Sequence, residues 1–201
     1  ARRSGYNGPI TIRAEALPEG ITACPTVIAD GQKGVNLCLK STDAAKAGSL
    51  HAVKILGEAN IGGNAVVQTA DIGLALKGRT NQMPYPPSSL VDDFALALAP
   101  AAPFSLRTEP EEITFGPDLS AKLKVIATRQ QDYNEAITLA VSNYNDGGPK
   151  PVASLPGNVT AALQPIAANQ QEIEITLTAN NKAPQGVFTV VLDGTLKKGN
   201  T

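Results

Sequence analysis

The chain contains one histidine, His51, which is the first residue to consider for catalysis. A catalytic histidine needs a nucleophile and an orienting carboxylate close in space, and the surrounding SLHAVKI suggests neither. Asp30, Asp92, Asp93 and Asp146 fall in loop-like sequence without the D-x-D-x-D-G spacing of a calcium loop. One His and two Cys do not provide zinc-ligand spacing. We therefore predict no catalytic, cofactor-binding or metal-binding residues, no cofactor, and a non-enzymatic protein.

The two cysteines, Cys24 and Cys38, lie on consecutive predicted strands and are symmetric about Gly31. By strand alternation Cys38 faces outward, and Cys24 does so too if Ile21 and Ala23 point inward. If the strands pair as a hairpin, a disulfide would close a 15-residue loop, worth about 3 kcal/mol in the chain-entropy model. The alternative is two unpaired thiols, because consecutive sandwich strands often lie in different sheets. We predict the disulfide, which would fit an extracytoplasmic compartment.

Two tyrosines are candidates for contact with a ligand. Tyr85 in MPYPP and Tyr144 in NYND could offer aromatic rings to a carbohydrate. The chain has four Tyr, four Phe and no Trp, which argues against a dedicated sugar-binding platform. Carbohydrate binding is therefore the less favoured interpretation of these residues.

Charge and hydropathy exclude some classes of partner. The net charge is -1 and the Lys and Arg residues are scattered, so no basic face is predicted for nucleic acid. No apolar run approaches the roughly 20 residues of a membrane span. The 18 Gly, 15 Pro and 42% hydrophobic residues indicate an ordered chain with many turns.

The elements that would position these residues are predicted to be short antiparallel strands. Apolar residues alternate in ITIRAEA, LSAKLKVIA and EIEITLT, and Gly- and Pro-containing turns separate such segments. The pattern predicts an all-β sandwich or barrel. FALALA, at residues 94–99, fits either a strand or a short helix, and EEITF, at residues 111–115, is a candidate third strand beside FSLRT and LSAKLKVIA.

An internal repeat organises the chain. YN…IT at Tyr6 returns at Tyr133, whereas LPEGITA and IADGQKGVNLCLK return 138 positions later as LPGNVTA and IAANQQEIEITLT. We predict an N-terminally incomplete domain at 1–80, a Pro-rich linker and connecting segment at 81–103, and a second domain at 104–201. LPGN and IAANQ depart from LPEG and IADGQ, which leaves the geometry of those two turns open.

These residues carry a resemblance to a known family. GPITIRAEALPEGITACPTVIADGQKG, with its LP-x-G-[IV]-T and I-x-x-G-Q turns, resembles bacterial Ig-like, fibronectin-type-III-like β-sandwich domains found in tandem. The resemblance implies two tandem Ig-like antiparallel sandwiches in a large secreted or cell-surface protein. It implies no chemistry, because the shared motifs form turns.

The first copy begins at the position that matches Arg129, so it lacks a counterpart of residues 104–128. A domain without those strands would expose unpaired strand edges, which recruit other strands. Two interpretations stay open. Neighbouring domains of a longer chain supply the strands, or identical subunits supply them and link into a filament.

These observations favour a structural protein. We expect a spacer, an adhesion module or a subunit of an extracellular assembly. The alternative is an accessory carbohydrate-binding module of a secreted hydrolase.

Overall fold

The computed structural model describes residues 5–73, 91, 94–131, 133–144 and 150–196. These residues form thirteen strands and almost no helix. The strands are β1 (Ile10–Glu15), β2 (Ile21–Ala23), β3 (Thr26–Ile28), β4 (Leu39–Ser41), β5 (Leu50–Ile61), β6 (Asn64–Thr69), β7 (Phe94–Ala97), β8 (Phe104–Glu109), β9 (Ser120–Arg129), β10 (Ile137–Val141), β11 (Val159–Ala162), β12 (Glu172–Ala179) and β13 (Leu192–Leu196). The predicted all-β class is confirmed.

The alternating segments become strands whose burial also alternates. In β1 the residues are half-buried and exposed in turn, as the period of two predicts. The first four residues of FALALA form strand β7, which pairs antiparallel with Leu50–Val53 of β5. EEITF is not a strand. Strand β8 ends at Glu109, and Pro110 has no N–H with which to continue its ladder with β9.

The chain divides into two compact units. Unit 1 comprises Ala1–Pro100, Asn143–Val152 and Val187–Thr189, and unit 2 comprises Ala101–Ser142, Ala153–Gly186 and Val190–Thr201. The predicted domain boundaries stay a prediction, because most of the linker lies outside the described residues.

Unit 2 contains two antiparallel sheets, with strand orders β11-β12-β9-β8 and β10-β13. Side chains from both sheets meet in one core, which includes Val125 of β9, Ile137 of β10 and Ile175 of β12. Each of these three is at most 1% exposed. This core gives unit 2 a sandwich-like pair of layers.

Unit 1 contains a sheet with the order β3-β1-β5-β6, in which β7 also pairs with β5, and a separate sheet of β2 and β4. Its buried side chains come from β2, β3, β5, the turn after β3 and the later segment Asn143–Val152: Ile21, Thr26, Ile28, Ala29, Val53 and Tyr144. Large apolar side chains are also exposed, including Leu50 at 71% and Val67 at 45%.

Candidate functional site: the edge of strand β4

Strands β2 and β4 pair in the register that β11 and β12 adopt in unit 2. Ile21 lies opposite Ser41, and 138 positions later Val159 lies opposite Ala179. The rest of each ladder follows with the same shift. The two hairpins are therefore equivalent in position and pairing.

The equivalent strands differ in length because they differ in partners. Strand β12 spans eight residues and pairs with β11 on one side and with β9 on the other. Strand β4 spans three residues, and within the described part of the chain it pairs with β2 alone. We call residues 34–41, the counterpart of β12, the β4 edge.

One apolar residue of the β4 edge, Leu37, is less buried than its counterpart in β12. Leu37 is half-buried, whereas Ile175, which is 138 positions later, is 1% exposed and lies opposite Leu123 of β9. Val35 and Leu39 are half-buried, and so are their counterparts in β12. The β4 edge thus carries the apolar alternation of a core strand, although no described strand pairs with its outer side. The Asn36 side-chain amide on this edge donates to the Asn143 carbonyl oxygen at 3.3 Å.

The turns that enter the two hairpins have the same geometry although their sequences differ. Gly20 has a φ of 78° and Asn158 a φ of 63°, both in the left-handed region. After Gly20, the Ile21 N–H donates to the Pro18 carbonyl oxygen at 3.1 Å. The Val159 N–H makes the equivalent bond to Pro156 at 3.2 Å. LPGN therefore preserves the LPEG turn, because Asn tolerates the left-handed region better than most residues.

The second turn is also preserved. Gly31 and Asn169 have φ values of 70° and 64°. The Gln32 Oε1 accepts from the N–H three residues earlier at 3.2 Å, and the Gln170 Oε1 does the same at 3.1 Å. Sequence reasoning missed this capping role, although a Gln shared at the same offset was a visible signal.

Arg129 is a second positioning residue that sequence reasoning did not assign. Its guanidinium donates to the carbonyl oxygens of Glu135 at 3.2 Å and Ala167 at 3.1 Å, and also to that of Gln170. These bonds attach the end of β9 to the turn before β12. Its matching position in the other copy, Arg2, lies outside the described residues.

Cys24 and Cys38 extend the β2–β4 ladder by one pair. The Cys24 N–H donates to the Cys38 carbonyl at 2.9 Å, and the Thr26 hydroxyl donates to the Cys24 carbonyl at 2.9 Å. Both cysteines are half-buried and are free thiols in this structure. The predicted disulfide stays a prediction.

The two thiols are close enough to influence each other. Burial raises the pKa of the Cys38 thiol to about 11, and the hydrogen bond and the charge of Cys24 add to this rise. Lys40 acts in the opposite direction on the same pKa. Cys38 is therefore protonated at neutral pH in the reduced protein.

The other sequence candidates do not come together. The His51 Nε2 lies 2.9 Å from the Ser49 hydroxyl. Tyr144 is 6% exposed, so little of its ring is available to a ligand, and Tyr85 lies outside the described residues. Among the residues that the structure describes, no three His, Cys, Asp or Glu side chains are grouped so that they could hold a metal ion.

Two further findings concern membrane-spanning helices and similarity to known proteins. In the described ranges, no helix has the length and apolar character that a membrane crossing requires. The chain matches no family model, no curated protein and no solved structure.

Proposed function

We propose that this protein is a structural, non-enzymatic module of a secreted or cell-surface bacterial protein, built from two tandem Ig-like units. It acts as a spacer, an adhesion module or a subunit of an extracellular assembly. The observation that best supports this proposal is that the β2–β4 and β11–β12 ladders have the same register at an offset of 138 residues. A second pair agrees with the sequence repeat: Ile10 lies opposite Ile28, and their counterparts Ile137 and Ile166, at offsets of 127 and 138, lie opposite each other.

The order of strands in unit 2 supports the Ig-like part of the proposal. Ig-like sandwiches of the constant type place strands A, B, E and D in one sheet and C, F and G in the other. Strands β8, β9, β12 and β11 follow the order A-B-E-D, and β10 and β13 pair as C and F do.

Unit 1 fits the same scheme in part. Strands β1, β5 and β6 pair in the order C-F-G, and β2 and β4 pair as D and E do. Strand B would pair with β4, as β9 pairs with β12. We propose that, in the functional assembly, a strand resembling β9 pairs with the β4 edge. A neighbouring domain or an identical subunit supplies this strand.

Pulling the full chain in a force spectrometer tests the structural role. Two independently folded units predict two unfolding events, and a featureless extension would contradict the proposal. Incubation with a panel of polysaccharides tests the carbohydrate-binding alternative. Retention that is lost on substitution of Tyr85 would favour that alternative over the structural role.

Sedimentation velocity over a range of concentrations separates the two sources of the strand. If identical subunits supply it, the mass should grow with concentration. A constant monomer mass, with the β4 edge still able to bind an added strand, would indicate a neighbouring domain.

A further inference from the structure

The geometry of the β2–β4 ladder places Cys24 and Cys38 at a position suited to a covalent bond. They are directly opposite each other, and the Cys24 N–H···O bond of 2.9 Å marks a hydrogen-bonded pair. Opposed residues in such pairs have Cα atoms about 5.5 Å apart. Disulfides span Cα separations of about 4.4–6.8 Å, so the pair can be joined without moving the strands.

In unit 2, the equivalent hairpin has no cysteines and is stabilised by pairing with a third strand. The positions equivalent to Cys24 and Cys38 are occupied by Ala162 and Thr176, which also lie opposite each other. There, β12 is additionally held by seven residue pairs with β9. The β2–β4 sheet has two strands, and two-stranded sheets are marginal by themselves.

We propose that Cys24 and Cys38 form a cross-strand disulfide that holds the β4 edge on β2. The oxidant is a low-molecular-weight disulfide of the glutathione type. One cysteine thiolate attacks it, forming a mixed disulfide and releasing one small thiol. The second cysteine then attacks the mixed disulfide and releases the other. The protein loses two protons and two electrons, and the oxidant is reduced to two thiols.

Peptide mapping of the full chain tests formation of the bond. After incubation with oxidised glutathione and alkylation, trypsin should yield residues 14–33 linked to residues 34–40, and reduction should separate them. The matched control is C38S/K40C, in which the cysteines become diagonal neighbours about 7–8 Å apart and should link far less. Absence of the linked peptide in the natural sequence, or equal linkage in the control, would overturn the proposal.

Thermal unfolding tests whether the bond holds the hairpin. Oxidation should raise the melting temperature of the unit 1 transition by roughly 10 °C relative to C24S/C38S. The variant A162C/T176C, with C24S/C38S, places the same pair in unit 2, where oxidation should give a smaller shift because β9 already holds β12. Equal melting temperatures for the oxidised chain and C24S/C38S would refute the stabilising role.

Discussion

Left-handed turn positions differ in the room they leave for a side chain. A Cβ added to Gly31 would meet no atom within 4 Å, whereas one added to Gly20 would lie 2.5 Å from the Ala45 backbone nitrogen. Both glycines have a φ that Asn can adopt, as Asn169 and Asn158 demonstrate in unit 2. The same Gly→Asn substitution at both sites therefore separates the cost of the backbone conformation from the cost of a steric clash.

We predict that Gly31→Asn changes the free energy of unfolding by less than about 0.5 kcal/mol. Gly20→Asn should cost about 1–3 kcal/mol, because the Ala45 backbone must move. Urea denaturation of both variants measures this difference. Equal stability losses would show that backbone conformation, and not space, limits both turns.

The raised pKa of Cys38 predicts a specific pH dependence for the reduced protein. A pKa of about 11 in place of 9.0 lowers the thiolate fraction at pH 8, so alkylation of Cys38 should be about 100-fold slower than in the urea-unfolded chain. The rate should keep rising until the pH passes about 11. Cys24→Ala removes both the hydrogen bond and the charge of Cys24, which raise the pKa of Cys38, and should therefore lower the midpoint. A midpoint that stays at 9.0 in the folded chain would contradict the burial of this thiol.

The same shift has a consequence for stability. Because the folded-state pKa lies above the unfolded value, the protonated thiol contributes fully below pH 9.0, and the contribution is lost as pH rises through about 11. The disulfide-bonded protein has no such group and should not show this loss.

At the residue scale, sequence reasoning predicted which two residues lie opposite each other across the hairpin but not the roles of the turn residues, and the disulfide stays a prediction. Strand alternation and symmetry about Gly31 predicted that Cys24 and Cys38 would lie opposite each other, as their backbones do. The capping by Gln32 and the carbonyl contacts of Arg129 depend on how the chain returns in space. Local patterns do not report such contacts.

Strand β4 is shorter than its counterpart β12 and pairs with one described strand, whereas β12 pairs with two. Leu37 and Ile175 occupy equivalent positions, yet among the described strands only Ile175 has a ladder partner in a third strand, Leu123 of β9. The length of β4 could not be predicted from its sequence, because the pattern GVNLCLKS alternates as regularly as that of β12. Strand assignment requires a hydrogen-bonding partner, which sequence alternation does not supply.

We predict that Ile175→Ala destabilises unit 2 by about 2–5 kcal/mol, the usual cost of a buried Ile→Ala cavity. Leu37→Ala should cost unit 1 less than half as much, because the half-buried side chain loses fewer contacts. Hydrogen-exchange mass spectrometry in increasing urea assigns each loss to its unit. A Leu37→Ala cost equal to that of Ile175→Ala would mean that the β4 edge is already covered.

At the scale of the whole molecule, the sequence predicted an all-β fold because period-two alternation and turn residues recur along the chain. The antiparallel sheets follow that pattern. The division into units was harder to predict. Unit 1 includes Asn143–Val152 and Val187–Thr189, which lie more than 40 residues beyond Pro100. Such a grouping arises from long-range packing and leaves no local signal.

The central proposal is that the β4 edge accepts a strand resembling β9. Amide hydrogen exchange, measured by NMR on the 201-residue chain, tests it at the amides of Leu37 and Leu39 and at their unit 2 counterparts, Ile175 and Leu177. The amides of Ile175 and Leu177 lie on the side of β12 that faces β9, because the alternate residues bond to β11.

We predict that the amides of Leu37 and Leu39 exchange at least about 100-fold faster than those of Ile175 and Leu177 in the monomer. Adding a peptide with the sequence SAKLKVIATR should slow the exchange of Leu37 and Leu39. A control peptide, SAKDKDIATR, with Asp in place of the two large inward-facing residues that correspond to Leu123 and Val125, should not. Slow exchange of Leu37 and Leu39 in the monomer without peptide, or no protection by SAKLKVIATR, would contradict the proposal.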